Sequence, residues 1–411
     1  MNKNPFMFGM PVKGDEFYNR EKETEKAVGF IRNCECFSVT GERRIGKTSF
    51  LLHVLSSKTL SEYDMGPENL VIIYLDMSRL HETTKDAFIG AIVEKIRKQT
   101  QIKVKPMNIF DMLITLVEEL ASNNKNLIIA LDEFEIIMPI LGELSYWLRS
   151  VFQSQNVTAV TASRKTMAES CSDNSASPLF NIFGTLTLGL FSKEETENMI
   201  KGRFHEGGQE LKGDEVSFLA NLSGGNPWLI QLLGFHYYSK KIEKDEFEDK
   251  MLDQAKVIFE GYWKHLTEEE RKFLLNVETS KNEQVAHDLE KRGLVFREGE
   301  GWKVFSRLFQ EFLYRKVEKE GKISKFEEIG RKREKTKEKS FDRSRTVDIF
   351  LAFLIGIASS IATPYVQQWL DLYPRFFEGL SSRIDPSLMV FVLVFVVALV
   401  VIMKFHRKSD Q

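Results

Sequence analysis

Residues 36–54, CFSVTGERRIGKTSFLLHV, decide the fold of this chain. The first five residues indicate a short buried strand, the next six a turn with a glycine at each end, and the rest a helix. The turn and the start of the helix match the pattern G-x-x-x-x-G-K-[ST]. The two glycines allow backbone N–H groups to converge on phosphate oxygens, and the helix N-terminus adds partial positive charge. We therefore predict a phosphate-binding loop, in which Lys47 contacts the β- and γ-phosphates of a nucleotide and Thr48 binds Mg²⁺.

Three more apolar runs, at residues 70–75, 127–131 and 157–162, alternate with amphipathic stretches at 87–99 and 110–121. Continuous apolar strands that are separated by helices indicate a parallel sheet covered on both faces. The predicted fold class is therefore α/β, with the phosphate loop at the end of its first strand.

The run LIIALDE, residues 127–133, ends in two acids. Acids at the end of a buried strand are costly unless they meet a cation or water. We predict that Asp132 binds Mg²⁺ through water and that Glu133 is the base that orients the attacking water. Many strands end in acids, so this prediction depends on the phosphate loop. Glu135 is interpreted as a solvated acid at the start of a helix.

The run VTAVTASR, residues 157–164, ends in small polar residues and an arginine. Ser163 could hydrogen-bond the γ-phosphate or the attacking water, and Arg164 could sense the phosphate charge. A strand cap and a surface arginine explain the same residues equally well. Arg43 and Arg44, inside the phosphate loop, could contact phosphate or a neighbouring acid, although solvation is the simpler expectation.

The composition excludes several classes of protein. A chain of 411 residues predicts two or three domains, and 43% hydrophobic with 28% charged residues excludes global disorder. The net charge of −2 excludes a basic nucleic-acid coat, and three cysteines exclude a disulfide scaffold. Cys34 and Cys36 are interpreted as buried thiols, because a zinc site needs about four ligands at suitable spacing.

Two apolar runs near the C-terminus, residues 349–366 and 388–403, predict a transmembrane hairpin. As helices they would be roughly 27 and 24 Å long, close to the hydrocarbon thickness of a bilayer. Lys and Arg are abundant before the first run and after the second, so both ends of the hairpin are expected to face the cytoplasm. The charged stretch before it, residues 316–346, is expected to be a solvated linker or to attract anionic lipid headgroups.

Four motifs resemble one family when they are taken in order. They are NPFMFGMPVKGDEFYNREKE (4–23), GERRIGKTSFL (41–51), LIIALDEFE (127–135) and SGGNPWLIQLL (223–233). Together they resemble the STAND branch of P-loop ATPases, and within it the archaeal-type ATPase group of the AAA-like division. The resemblance covers roughly residues 4–315 and does not extend to the apolar hairpin.

This resemblance implies an AAA-like P-loop NTPase sheet, a helical lid and a winged helix that together hold ATP or ADP. Arg20 and Glu21 match the family's Gly-Arg-Glu element near the adenine, although Asn19 stands where glycine is usual. Pro227 matches the lid proline that lies against the nucleotide. The residues also fit a simple helix–turn–helix, in which Gly224 and Gly225 end one helix and Pro227 begins the next.

The expected domains are the ATPase core (1–190), the lid (191–249), the winged helix (250–315), the linker (316–346) and the transmembrane hairpin with a short tail (347–411). The predicted catalytic residues are Glu133, Asp132, Arg164 and Ser163. The predicted ligands of Mg²⁺ are Thr48 and Asp132. The residues predicted to bind ATP or ADP are Gly41, Glu42, Arg43, Arg44, Ile45, Gly46, Lys47, Thr48, Ser49, Arg20 and Pro227.

The sequence thus predicts a membrane-anchored ATP-binding protein that slowly hydrolyses ATP as a nucleotide-controlled signalling switch. Its expected partners are the nucleotide, membrane lipid, and copies of itself or an unknown protein. Nucleic acid is not an expected partner, because the second helix of the winged helix mixes acids with bases. The alternatives are a scaffold that binds nucleotide without hydrolysing it and a membrane-tethered transcription regulator. A transporter energiser is disfavoured, since two membrane helices form no pore alone.

Overall fold

A parallel sheet forms the centre of the N-terminal half of the chain. The computed structural model describes residues 3–166, 179–239 and 244–316, all of which lie within one unit, Met1–Lys319. Five strands of these residues form the sheet in the order β2–β3–β4–β1–β5, and the pairings between them are parallel. The strands are β1 (Cys36–Thr40), β2 (Leu70–Asp76), β3 (Asn126–Asp132), β4 (Val157–Ser163) and β5 (Phe183–Thr187). The predicted α/β class is confirmed.

Six helices cover this sheet on both faces. They are α1 (Glu21–Arg32), α2 (Lys47–Val54), α3 (Ser57–Glu62), α4 (Lys85–Thr100), α5 (Ile109–Ser122) and α6 (Met138–Phe152). Alternate residues of β3 enter two different hydrophobic clusters: Ile129 packs with residues of α4, α5 and α6, whereas Ile128 packs with residues of α1 and α2. Because successive side chains of a strand point to opposite faces, the sheet is buried on both sides.

Strand β5 lies at one edge of the sheet, beside β1, and the apolar pattern of the sequence did not predict it. Its residues, FGTLT, are partly exposed, and Leu186 is buried. By contrast, β1 and β4 are buried along their whole length. With one buried residue β5 has no continuous apolar run, whereas β2, at the opposite edge, has four buried residues and was predicted from its run at 70–75.

The C-terminal half of the described chain is helical and carries one small hairpin. Its elements are α7 (Lys193–Glu206), α8 (Gly213–Ser223), α9 (Pro227–Ser239), α10 (Lys244–Lys264), α11 (Glu268–Leu275), α12 (Glu283–Lys291), the antiparallel strands β6 (Val295–Glu298) and β7 (Gly301–Val304), and α13 (307–316). The capping boxes predicted at Ser192 and Thr267 are present and begin α7 and α11.

One hydrophobic cluster joins the elements of this half. It contains buried residues from α7 through α13 and also Phe6, from the N-terminal segment. The segments predicted as lid and winged helix therefore share a core. The helix, helix, hairpin and helix of residues 267–316 occur in the predicted order, and their identity as a winged helix stays a prediction.

The predicted transmembrane hairpin (347–411), and the linker from residue 317 onward, lie outside the described residues. No helix of the described part of the chain is both long enough and apolar enough to cross a bilayer.

Candidate active site

The phosphate loop between β1 and α2 has a backbone that requires its two glycines. Gly41 has φ +152° and Gly46 has φ +98°, which L side chains rarely adopt. A Cβ atom at Gly41 would also lie 2.6 Å from the carbonyl oxygen of Leu188, so no side chain fits there. Gly46 is the N-cap of α2, whose first residues, Lys47 and Thr48, follow directly. The loop lies where the sequence predicted it.

Lys47 is folded onto its own loop and surrounded by acids. Its Nζ donates hydrogen bonds to the backbone oxygens of Gly41 at 2.9 Å and of Glu42 at 3.1 Å. Burial lowers the pKa of Lys47, and the acids that oppose this shift are Glu135, Glu133, Glu42 and Asp132. The ammonium group is therefore a desolvated cation beside a loop whose backbone favours binding of anions.

Asp132, at the end of β3, accepts two hydrogen bonds on one carboxylate oxygen. Thr48 Oγ1 donates to Asp132 Oδ2 at 2.6 Å, and the hydroxyl of Tyr74 donates to the same atom at 2.9 Å. Asp132 is only 3% exposed. The burial of Tyr74 and the adjacent Asp132 charge both raise the pKa of Tyr74, so its hydroxyl remains a donor. The sequence did not predict this role of Tyr74, because tyrosine in a strand is equally typical of ordinary packing.

The hydroxyl of Thr48 and the carboxylate of Asp132 are hard oxygen donors, the type of ligand that Mg²⁺ prefers. Their direct contact brings both predicted ligands to one point beside the phosphate loop. These residues therefore fit a magnesium ion that is bound together with a nucleotide.

Glu133, the predicted base, follows Asp132 in a left-handed conformation with φ +52°. The turn directs the chain from β3 into a short helical segment at Phe134–Ile137. Burial raises the pKa of Glu133, and the nearby charges of Glu135 and Asp132 raise it further. A carboxylate with a raised pKa is a stronger proton acceptor than an ordinary surface glutamate.

Arg164, just after β4, forms an ion pair with Glu135, whose Oε1 lies 3.4 Å from Arg164 Nε. The other carboxylate oxygen of Glu135 is buried and has no hydrogen-bond partner among the described residues. The prediction that Glu135 is solvated is therefore wrong. Ser163 donates a hydrogen bond to the backbone oxygen of Lys165 at 2.6 Å, which is the contact of a strand cap.

A cavity of about 290 Å³ opens beside the phosphate loop. It brings together ten of the predicted site residues and adds a wall from the N-terminal segment. Gly41, Glu42, Asp132, Ser163 and Arg164 are not part of its lining. The ten predicted site residues that line the cavity are Arg20, Arg43, Arg44, Ile45, Gly46, Lys47, Thr48, Ser49, Glu133 and Pro227. Arg43 and Arg44 are also exposed to solvent.

Arg20 is a buried arginine, 6% exposed, that closes one side of the cavity. It donates hydrogen bonds to Glu23 at 2.9 Å and to the backbone oxygen of Gly189, and its guanidinium lies 4.6 Å from the ring centre of Phe191. Asn19 and Arg20 both have positive φ, and asparagine tolerates that conformation better than most side chains. Asn19 therefore sustains a left-handed turn in the position where the family usually has glycine.

Pro227 is the first residue of α9 and lies in the cavity wall. Gly224, with φ +54°, ends α8 as predicted, and Gly225 follows with φ +77°. The side chain of Asn226 accepts hydrogen bonds from the backbone N–H groups of Trp228 and Leu229, both at 3.1 Å, and so caps α9. The predicted helix–turn–helix is confirmed.

The N-terminal segment, residues 4–12, forms a wall of the cavity that the motifs did not reveal. The backbone N–H of Met7 donates to Gln231 Oε1 at 2.9 Å, and Trp228 Nε1 donates to the backbone oxygen of Phe8 at 2.9 Å. At its far end, the backbone N–H of Val12 donates to Ser49 Oγ at 3.1 Å. The segment thus connects α9 to the helix that follows the phosphate loop.

Comparison with solved structures shows a likeness of fold to a known ATPase, and weaker likenesses to two other proteins. The Walker-type ATPase of Pyrococcus abyssi superposes with a TM-score of 0.55 at 17% identity, over 75% of this chain and 99% of that one. The Aeropyrum pernix ORC2 protein, in its ADPNP–ADP complexes, gives a TM-score of 0.45 at 15% identity, over 75% and 98% of the two chains. Cdc6p from Pyrobaculum aerophilum gives 0.44 at 14% identity, over 76% and 97%.

No curated protein matches the chain at a significant level. Residues 17–233 match the model of one family, described as an ATPase domain predominantly from Archaea. The matched residues are more than half of the chain and include the phosphate loop, the acids at the end of β3 and Pro227. This protein is therefore a member of that family of archaeal-type ATPase domains.

Proposed function

We propose that this protein binds Mg·ATP, hydrolyses it slowly, and uses the nucleotide to switch between two states. The observation that carries the proposal is the direct contact of Thr48 with Asp132 beside Lys47 and Glu133. These four residues supply the charges and oxygen atoms that phosphoryl transfer requires, and they converge at the carboxyl end of a parallel sheet. Membership of an ATPase family supports the same reaction.

The residues of the site would act mainly by position and charge. Lys47 would exchange the backbone oxygens of Gly41 and Glu42 for the phosphates, and the loop N–H groups would bind the same anion. Thr48 and Asp132 would hold Mg²⁺, which would neutralise part of the phosphate charge. Glu133 would accept a proton from the attacking water, as its raised pKa favours.

Arg164 would sense the γ-phosphate in competition with Glu135. Its guanidinium contacts that carboxylate through Nε alone, at 3.4 Å, so a bound phosphate would draw Arg164 away from Glu135. Glu135 would then lose its partner beside Glu133 and Lys47. This exchange gives the site two arrangements, one with and one without a γ-phosphate, as a nucleotide switch requires.

A phosphate-release assay on the full-length protein tests hydrolysis. We expect slow, Mg²⁺-dependent release from the wild type, release at least about a hundredfold slower from Glu133→Gln, and no nucleotide binding by Lys47→Ala. Nucleotide binding with equally negligible release from the wild type and Glu133→Gln would instead support the non-hydrolysing scaffold.

The helices and hairpin of residues 267–316 are proposed to be a winged helix that acts within the chain. The lysine of α12, Lys291, pairs with Asp288 of the same helix, and His287 contacts Glu290. Such a helix presents little free positive charge to a DNA backbone. Gel-shift binding that weakens steeply with salt would overturn this proposal in favour of a transcription regulator.

The apolar runs at residues 349–366 and 388–403 support the proposal that the protein is anchored in a membrane with its ATPase part in the cytoplasm. Alkaline carbonate should leave the full-length protein in the membrane pellet, and protease added to the cytoplasmic side should remove residues 1–316. Release of the protein by carbonate would contradict the anchor. A mass that changes between ADP and a non-hydrolysable ATP analogue would support an oligomeric switch.

A further inference from the structure

Two residues of the phosphate loop, Glu42 and Arg43, are held by the distant C-terminal half of the chain. Arg292, just after α12, contacts Glu42 Oε1 at 2.6 Å through Nε and Glu270 Oε1 at 2.8 Å through a terminal nitrogen. The hydroxyl of Tyr262, in α10, donates to the backbone oxygen of Arg43 at 2.8 Å. Both contacts come from residues more than 200 positions away from the loop.

The ion pair is shielded from water. The side chains of Glu42 and Glu270 are each 13% exposed, and that of Arg292 is 28% exposed. A carboxylate this buried is costly unless a cation compensates it, and screening by salt is weak at such a site. Arg292 is the cation in contact with Glu42 among the described residues. Removing Arg292 would therefore leave Glu42 as an uncompensated anion.

Glu42 belongs to the loop that must receive the anionic phosphates. Its charge is one of those that act on Lys47, and its backbone oxygen accepts a hydrogen bond from Lys47 Nζ. An unpaired carboxylate in this position would repel a polyphosphate and would also compete with it for the ammonium group. The Glu42 charge therefore opposes nucleotide binding unless Arg292 neutralises it.

Arg292 is also fixed on its other side. Glu270, its second partner, is part of the capping box of α11, in which Glu270 Oε2 accepts from the backbone N–H of Thr267 at 2.7 Å. Tyr262 is anchored similarly, since its hydroxyl accepts from Asn226, the cap of α9. The loop is thus braced by α9, α10, α11 and the end of α12.

We propose that Arg292 is a positioning residue for nucleotide binding: it neutralises Glu42, so that the phosphate loop accepts a nucleotide only while residues 250–316 are docked on it. This inference rests on the proposed nucleotide function and adds a regulation to the same site. The C-terminal segment would control affinity through charge, without contacting the nucleotide. Any event that draws α12 away from the loop would release the nucleotide.

Calorimetric titration of ADP and of a non-hydrolysable ATP analogue into the full-length protein tests the proposal. We expect Arg292→Gln to weaken nucleotide binding roughly 5- to 20-fold, the effect of one uncompensated charge at this range. Glu42→Gln should tighten binding about 2- to 5-fold, because it removes a repulsive charge. The double variant should recover most of the affinity that Arg292→Gln loses, since the two residues act as a pair.

Two further variants separate charge from folding. Arg292→Lys keeps the charge and should bind within about 3-fold of the wild type. Arg315→Gln is the matched control, because Arg315 also contacts two acids, Asp249 and Glu311, but lies away from the loop. Its nucleotide affinity should equal that of the wild type. Rescue by lysine, together with recovery of affinity in the Glu42→Gln/Arg292→Gln double variant, separates a lost charge from a purely structural defect.

Wild-type affinity in Arg292→Gln would overturn the inference and leave the proposed function intact. A double variant as weak as Arg292→Gln would also overturn it, because Arg292 would then act independently of Glu42. No binding by the wild type itself, with Lys47→Ala behaving identically, would instead remove the proposed function together with the inference.

Discussion

At the scale of single residues, the site is organised around one buried carboxylate. Asp132 accepts hydrogen bonds from Thr48 and Tyr74 on the same oxygen, and its other oxygen accepts from the backbone N–H of Glu133 at 3.0 Å. A carboxylate held by three donors keeps one orientation, which is the property that the proposed metal ligand requires. The sequence predicted Asp132 and Thr48 from their motifs and did not predict Tyr74.

Tyr74→Phe tests this arrangement. The substitution preserves the ring and removes one hydrogen bond to a buried charge, so we expect kcat/KM for ATP to fall about 3- to 10-fold, about 1 kcal/mol. The effect stays modest because Thr48 holds the same oxygen. Tyr314→Phe, on an exposed tyrosine, is the control. Unchanged kinetics in Tyr74→Phe would mean that Thr48 and the backbone N–H of Glu133 are sufficient to orient Asp132.

The pH dependence of ATP hydrolysis should report Glu133. Burial and the charges of Glu135 and Asp132 raise its pKa, and a base acts only when deprotonated. The rate should therefore fall as the pH drops through a value above the ordinary glutamate pKa of about 4.3. Glu135→Gln removes a like charge, lowers the pKa of Glu133, and should move this acidic limb to lower pH. A limb that moves upward, or stays in place, would argue against Glu133 as the base.

At the scale of elements, the short turn between α8 and α9 is constrained by close packing against two distant segments of backbone. Gly224 packs against the backbone at Phe305, and Gly225 packs against the backbone at Phe191. The turn therefore joins α8 and α9 to both the end of the hairpin and the chain after β5. Sequence alone indicated the turn, from Gly-Gly-Asn-Pro, but could not show which distant backbone lies against it.

Gly224→Ala should destabilise the protein strongly. The new Cβ would lie 1.8 Å from the backbone oxygen of Phe305, in a conformation with φ +54°, so we expect a loss of more than about 2 kcal/mol in the free energy of unfolding. Gly261→Ala, inside α10 and in open space, is the matched control and should stabilise by about 0.5–1 kcal/mol. Denaturant unfolding of both variants measures the difference. Equal stability would contradict the close approach at Gly224.

The sequence predicted the buried strands more accurately than the exposed one. Strands β1, β3 and β4 were predicted to within a residue or two, because both faces of each are covered and their apolar runs are continuous. Strand β5 was missed because only one of its residues, Leu186, is buried, whereas β2, at the opposite edge, has four buried residues and was predicted. The ion pair of Arg292 with Glu42 joins residues 250 positions apart. The local sequence around either residue gives no indication that the two are in contact.

At the scale of the whole molecule, Phe6 joins the N-terminal segment to the helical half. Its ring is 1% exposed, lies 4.9 Å from that of Phe204, and occupies the space beside Gly234. The N-terminal segment therefore contacts both the sheet and the helical half. The two halves are joined by these noncovalent contacts as well as by the chain itself. The cavity between them has one wall from each half and a third from residues 4–12.

Phe6→Ala should lower the free energy of unfolding by about 3–5 kcal/mol, because it leaves a large void in the helical core. The loosened wall should also raise KM for ATP more than it lowers kcat. Tyr146→Ala removes an aromatic ring that is 73% exposed and should change stability by less than about 0.5 kcal/mol. Thermal unfolding and steady-state kinetics measure both effects. A stable Phe6→Ala variant with a normal KM would show that the segment is dispensable.

The N-terminal wall has a consequence for synthesis on the ribosome. Met7 binds Gln231, 224 positions later, so the first residues to emerge must wait for α9 before they find their partners. At roughly 5–20 residues per second this delay is on the order of 10–45 s. During that interval the nascent sheet can form, but the cavity beside the phosphate loop lacks the wall that the N-terminal segment and α9 provide. The pocket should therefore be complete only after α9 has been synthesised, a little past the middle of the 411-residue chain, and nucleotide capture during synthesis should begin no earlier than that point.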